Sequence, residues 1–149
     1  MYPHLPALLV LIPLIAAPVC ILLRNSRLLY LLSTLVSWST LLIALTIFLN
    51  VINNGVITYE FGGWSIPYGI EYRIDILSGF ILILVALIAS ITITFSLNIT
   101  LKELGEDRIF LFYSLTNLLI AGLLGIVITG DLFNVFVFLE FSSLASYSL

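Results

Sequence analysis

Charge is what this sequence has least of: 9% of its 149 residues are Asp, Glu, Lys or Arg, against about 25% in a soluble domain. So few charges cannot cover the surface of a water-soluble protein of this size. Cysteine occurs once, at Cys20, which excludes a disulfide within the chain, a cysteine-based metal cluster and a CxxC redox pair. It reads as a small apolar packing residue. Histidine also occurs once, at His4, where it stands near the start of the first apolar run as an end-of-helix residue. With no haem-ligand pair, metal cluster or nucleotide loop in the pattern, no cofactor, no bound metal and no independent catalysis are expected. The five basic residues are dispersed, so no patch points to nucleic acid.

What remains is apolar. The hydrophobic fraction is 62% and the mean hydropathy +1.26, the composition of an integral membrane protein. Runs long enough to span a bilayer occupy about 5–23, 28–51, 76–99, 109–129 and 132–149. Pro6, Pro13 and Pro18 fall in or beside the first, where membrane helices tolerate proline, so a kinked but continuous span is expected. Asn53, Asn54 and Gly55 end the second. Positions 56–74 differ, because VITYEF and IEYRI are β-branched and aromatic and are separated by Gly62, Gly63, Pro67 and Gly69. That pattern predicts a β-hairpin, with Trp64 and several tyrosines at headgroup level. Ser90, Thr92, Thr94 and Ser96 in the third run can return their hydroxyls to the helix backbone. Ala121, Gly122 and Gly125 in the fourth permit close helix packing. The expected fold is therefore all-α and integral to the membrane, one domain over 1–149 with five transmembrane helices and a small extracytoplasmic hairpin between helices 2 and 3.

Basic residues set the orientation. Arg24, Arg27, Lys102 and Arg108 lie in the first and third connections and only Arg73 in the second, which makes the first and third cytoplasmic. The N-terminus, the hairpin and Asp131 then face outward across a cell membrane.

Glu140 is the one ionisable residue inside the fifth run, DLFNVFVFLEFSSLASYSL. Nine positions from Asp131, at about 1.5 Å each, put it roughly 13 Å deep, near the middle of a core about 30 Å thick. A carboxylate there needs a partner, a wet cavity or a proton, and marks a functional site. On a helical wheel it shares a face with Ser143 and Tyr147 and with Phe133 and Phe136. Burial raises such a carboxyl's pKa and a nearby cation lowers it, so the group can load or release a proton as its partner moves. Asp131, after Gly130, is placed to cap the helix. Asn134 and Ser142 lie on other faces, as expected of interhelical hydrogen bonders.

The run TGDLFNVFVFLEFSSLASYSL, 129–149, resembles the fifth-helix signature of the antiporter-like membrane subunits, particularly the D subunit of Mrp-type sodium/proton antiporters. GGWSIPYGIEYRIDILSGF, 62–80, resembles the hairpin and third-helix entry of the same group, to which the large membrane subunits of complex I and of archaeal membrane-bound hydrogenases are related. The resemblance implies the N-terminal portion of a proton- or sodium-translocating subunit within a multisubunit complex. It also implies that Glu140 carries the translocated proton or ion and pairs with a lysine on a seventh helix. Lys102, the sole lysine, lies outside the apolar runs, so the intramembrane lysine is expected from a partner subunit. The alternative is a non-transporting scaffold subunit of such a complex.

Overall fold

The computed structural model describes residues 4–23, 25–61, 69–105 and 108–149. Among them the chain forms, in order, helix α1 (Leu5–Leu22), helix α2 (Ser26–Asn54), strands β1 (Ile57–Glu60) and β2 (Glu71–Ile74), and helices α3 (Ile76–Leu104), α4 (Ile109–Ile128) and α5 (Leu132–Ser148). Arg24, Gly62, Gly63, Trp64 and Pro67, on which parts of the orientation and hairpin expectations rest, lie outside the described residues.

Local chemistry marks the ends of α2 and the start of α3. Asn25 Oδ1 accepts from the Arg27 amide at 3.0 Å and opens α2. Gly55, at φ +86°, closes it while its N–H reaches Val51 O at 2.9 Å, a backbone angle that only glycine adopts without strain. Asp75 Oδ1 accepts from the Ser78 amide at 2.7 Å, and that bond holds its carboxyl below the usual carboxylate range. Pro13 and Pro18 stay inside a continuous α1, although neither can donate to the carbonyl four residues back. The helices overrun the expected limits: α2 extends to Asn54, and α3 extends to Leu104. Lys102, expected in the third connection, therefore sits with Glu103 on the last turn of α3, because the helix continues until Gly105 turns to φ +69°.

α4 is the hub, packed by α1, α2, α3 and α5, with α2 also against α1 and α3. Ala121 is fully buried and the neighbouring small residues let helices close on it. Polar groups join the helices where lipid offers no partner. Ser114 donates to Ala17 O at 2.8 Å, Ser90 to Ser37 O at 2.9 Å, Tyr30 to Thr94 O at 3.0 Å and Trp38 Nε1 to Thr94 Oγ1 at 3.2 Å. As the sequence leads one to expect, Ser90, Thr94 and Ser96 also return hydroxyls to carbonyls of their own helix.

β1 and β2 pair antiparallel from Ile57 opposite Ile74 to Glu60 opposite Glu71. β2 then reaches a third element: Tyr72 bridges Thr129, and the Gly130 N–H donates to Glu71 O at 2.9 Å. An edge-to-face series of rings, His4, Tyr59, Phe61 and Tyr72, runs from the start of α1 across the hairpin, with centroid steps of 5.9, 5.0 and 4.8 Å. The hairpin thus ties the start of α1 to the α4–α5 connection.

The outside of the bundle is apolar. Leu22, Leu35 and Phe95 are 82%, 70% and 72% exposed, a surface suited to hydrocarbon. Four helices, α1 to α4, are long and apolar enough to cross a membrane. α5 has 17 residues, about 26 Å at 1.5 Å per residue, a little short of a 30 Å core.

Candidate functional site

Asp131 opens α5 from the N-cap, its Oδ1 accepting from the Phe133 amide at 3.3 Å. From there the packing against α4 settles how the helix is turned. Asn134, Phe138, Ser142 and Ala145 form its buried face. Two glycines of α4 receive that face. A Cβ on Gly125 would stand 2.5 Å from the Phe138 ring, and one on Gly122 would stand 3.0 Å from the Phe138 carbonyl oxygen and 2.9 Å from Ser142 Cβ. With no side chain in the way, α5 lies directly on α4.

Glu140 is two residues from both Phe138 and Ser142, hence about 200° round the helix from each at 3.6 residues per turn. It is exposed, on the face turned away from α4. Phe133 at 72%, Phe136 at 61% and Tyr147 at 88% exposure share that face. Ser143 is half-buried beside them, its hydroxyl donating to the Glu140 backbone carbonyl at 3.1 Å. The structure therefore brings Glu140, Ser143 and Tyr147 onto one side of α5. Asp131 stands apart at the helix start, bonded as a cap. Ser142, expected to bond between helices, instead donates to Leu139 O of its own helix at 3.0 Å.

A second polar cluster escaped the sequence reading. Asn117 of α4 is fully buried. Its amide nitrogen donates to Ser33 Oγ of α2 at 2.9 Å, to Tyr113 O at 2.8 Å and weakly to Cys20 Sγ of α1 at 3.6 Å. One residue thereby joins three helices. The signal was a lone asparagine inside an apolar run, but a run alone does not tell which helices it meets. His4 likewise does more than end a helix, since its Nδ1 lies 3.0 Å from the Tyr59 hydroxyl of β1.

No protein-family profile matches the chain. Individual proteins do. The chain is 38% identical over 165 aligned positions to the N subunit of the NADH-quinone oxidoreductase of Desulforudis audaxviator, covering all of this chain and 30% of that protein. It is 35% identical over 142 positions to the D subunit of the Na(+)/H(+) antiporter of Bacillus subtilis, covering 94% of this chain and 28% of the relative. A chain of the archaeal respiratory complex described as membrane-bound sulfane sulfur reductase superposes with a TM-score of 0.87 at 29% identity, over 98% of this chain and 30% of that one. This chain is homologous to the N-terminal part of the antiporter-like membrane subunits.

A chain of the Mrp complex from Dietzia sp. has the same arrangement, with a TM-score of 0.85 at 25% identity over all of this chain and 27% of that one. The sequence thus spans about 30% of the length of the antiporter-like subunits it matches. The kinship and the four apolar helices make it a multi-pass membrane protein.

Proposed function

We propose that this chain contributes the proton-exchanging carboxylate of an ion-translocating membrane subunit, and that Glu140 is that group. The observation that carries the reading is the direction of Glu140: a carboxylate midway along an apolar helix, exposed on the side turned away from α4, the helix on which α5 packs. A charge left on such a face in hydrocarbon costs about 2.5–3.5 kcal/mol or more. A lysine presented by further helices, from the same subunit or a partner, would remove that cost by pairing. Ser143 and Tyr147 supply hydroxyls on the same face for a water-lined path. Asp131 acts on the site by holding the start of α5. In this reading the chain is one membrane domain, α5 is a fifth span, the hairpin and N-terminus lie outside the cell membrane, and sodium or protons are the transported ions.

Glu140→Gln in the assembled complex tests this. Glutamine keeps the size and hydrogen bonding of the side chain but cannot exchange a proton. Ion-coupled flux is expected to vanish while the complex still assembles, and Asp131→Asn, which preserves a cap, leaves flux near normal. Assembly with normal flux in the Glu140 variant would instead make the chain a scaffold.

A further inference from the structure

α5 is held in two places by different kinds of contact. Along its length it lies on Gly122 and Gly125 of α4, and among the described residues no side-chain hydrogen bond crosses that seam: Ser142 donates to Leu139 O, Ser143 to Glu140 O and Ser148 to Leu144 O, all within α5. The seam therefore fixes how the helix is turned. Directional bonds come at its start. The link between α4 and α5 is extended, with Thr129 at φ −71°, ψ 134° and Asp131 at φ −115°, ψ 129°. Thr129 bridges Tyr72, and the Gly130 N–H donates to Glu71 O at 2.9 Å, which makes this link a short third strand beside β2. β2 is itself anchored. Its Tyr72 and Ile74 are buried, and the next residue, Asp75, caps α3.

We propose that the backbone of Gly130 is a positioning element for Glu140: its bond to β2 sets how far along its own axis α5 stands, and with it the carboxylate. This rests on Glu140 being the exchanging group. A helix is stiff along its axis, so a displacement of its first turn reaches Glu140, about 13 Å further on, undiminished. A misplacement of about 1 Å at a reacting group can cost about a hundredfold in rate. The role belongs to the N–H and not to the missing side chain. Gly130 is not among the glycines at positive φ, and a Cβ added to it would meet Glu71 O at 3.4 Å and Arg73 Cβ at 3.7 Å, ordinary contact distances. Alanine can therefore serve in its place. Proline cannot, because it has no N–H to donate, although the extended Thr129 is the conformation that a residue before proline prefers.

The test is a pulsed electron-spin distance measurement in the assembled complex, between labels at Glu60→Cys of β1 and Tyr147→Cys near the end of α5, both exposed, in a Cys20→Ser background. Gly130→Ala is expected to keep the parent distance, and Gly130→Pro to change it by about 1.5 Å or more, one residue's rise. One glycine inserted between Gly130 and Asp131 keeps the bond but lengthens the link, so it should shift the distance too, and it decides the matter if the proline variant does not assemble. In unlabelled protein, ion-coupled flux should fall about tenfold or more where the distance moves and stay at the parent level in Gly130→Ala. Parent distances in both the proline and the insertion variants overturn the proposal, because the glycine seam then holds α5 by itself. A shifted distance in Gly130→Ala overturns it as well, since side-chain space and not the N–H would be what counts. Shifted distances with parent flux leave the anchor standing and overturn the reading of Glu140.

Discussion

At the scale of single residues, the contact between Gly125 and Phe138 has leverage, because it lies in the α4–α5 seam whose packing turns Glu140 outward. An alanine there would bring its Cβ within 2.5–2.6 Å of three ring atoms, including Cγ, which a swing of the ring cannot clear. Overpacking of that kind costs about 1–3 kcal/mol and outweighs the roughly 0.5–1 kcal/mol gained by replacing a mid-helix glycine. Gly79 provides the contrast. Its added Cβ would meet only Phe48 Cδ2 closely, at 2.9 Å, with the next atoms at 3.7 Å, and that ring edge can move aside. Thermal unfolding in detergent should therefore show Gly125→Ala clearly destabilised and Gly79→Ala close to the parent. Equal shifts would mean that the helix contact is looser than described.

Among the elements, the hairpin is the one that fastens the ends of others. Glu60 and Glu71 stand directly opposite each other at the end next to its connecting segment, an unfavourable cross-strand pair, so its stability comes from Ile74, fully buried, and from Tyr72, 5% exposed. Burial pushes the Tyr72 hydroxyl up to about 12, above the ordinary value near 10. The folded state thus holds this proton more tightly than the unfolded one. The contribution is complete below pH 10 and is lost as pH rises through about 12. Tyrosine absorbance titration of the parent against Tyr72→Phe should remove one late-titrating group, and the variant should lose less stability between those limits. If the missing group titrates near 10, Tyr72 is not shielded as the structure describes.

For the whole molecule, the expected topology has the hairpin outside and the α1–α2 and α3–α4 turns inside. Its motive is the basic-residue bias of those turns. Cys20 is fully buried, which leaves a quiet background for labelling. Glu60→Cys should react with an impermeant thiol reagent added outside intact cells, and Ser26→Cys should react only after permeabilisation. The opposite pattern would invert the molecule.

Membrane class, helix order, the hairpin strands and the cap at Asp131 were legible in the chain itself, because each depends on residues near in sequence: apolar run length, β-branched clusters, and an acid beside a glycine. The grouping of Glu140 with Ser143 and Tyr147 was legible for the same reason, being a matter of helical period. The direction of that face was not. It depends on two glycines of α4 meeting Phe138 and Ser142 of α5, and close packing between separate helices has no local signature. The same holds for Asn117, whose partners Cys20 and Ser33 lie on two other helices. Local sequence determined which segments become helices and which polar groups they carry; only tertiary packing decided which of those groups are spent inside the bundle and which, like Glu140, are left facing outward.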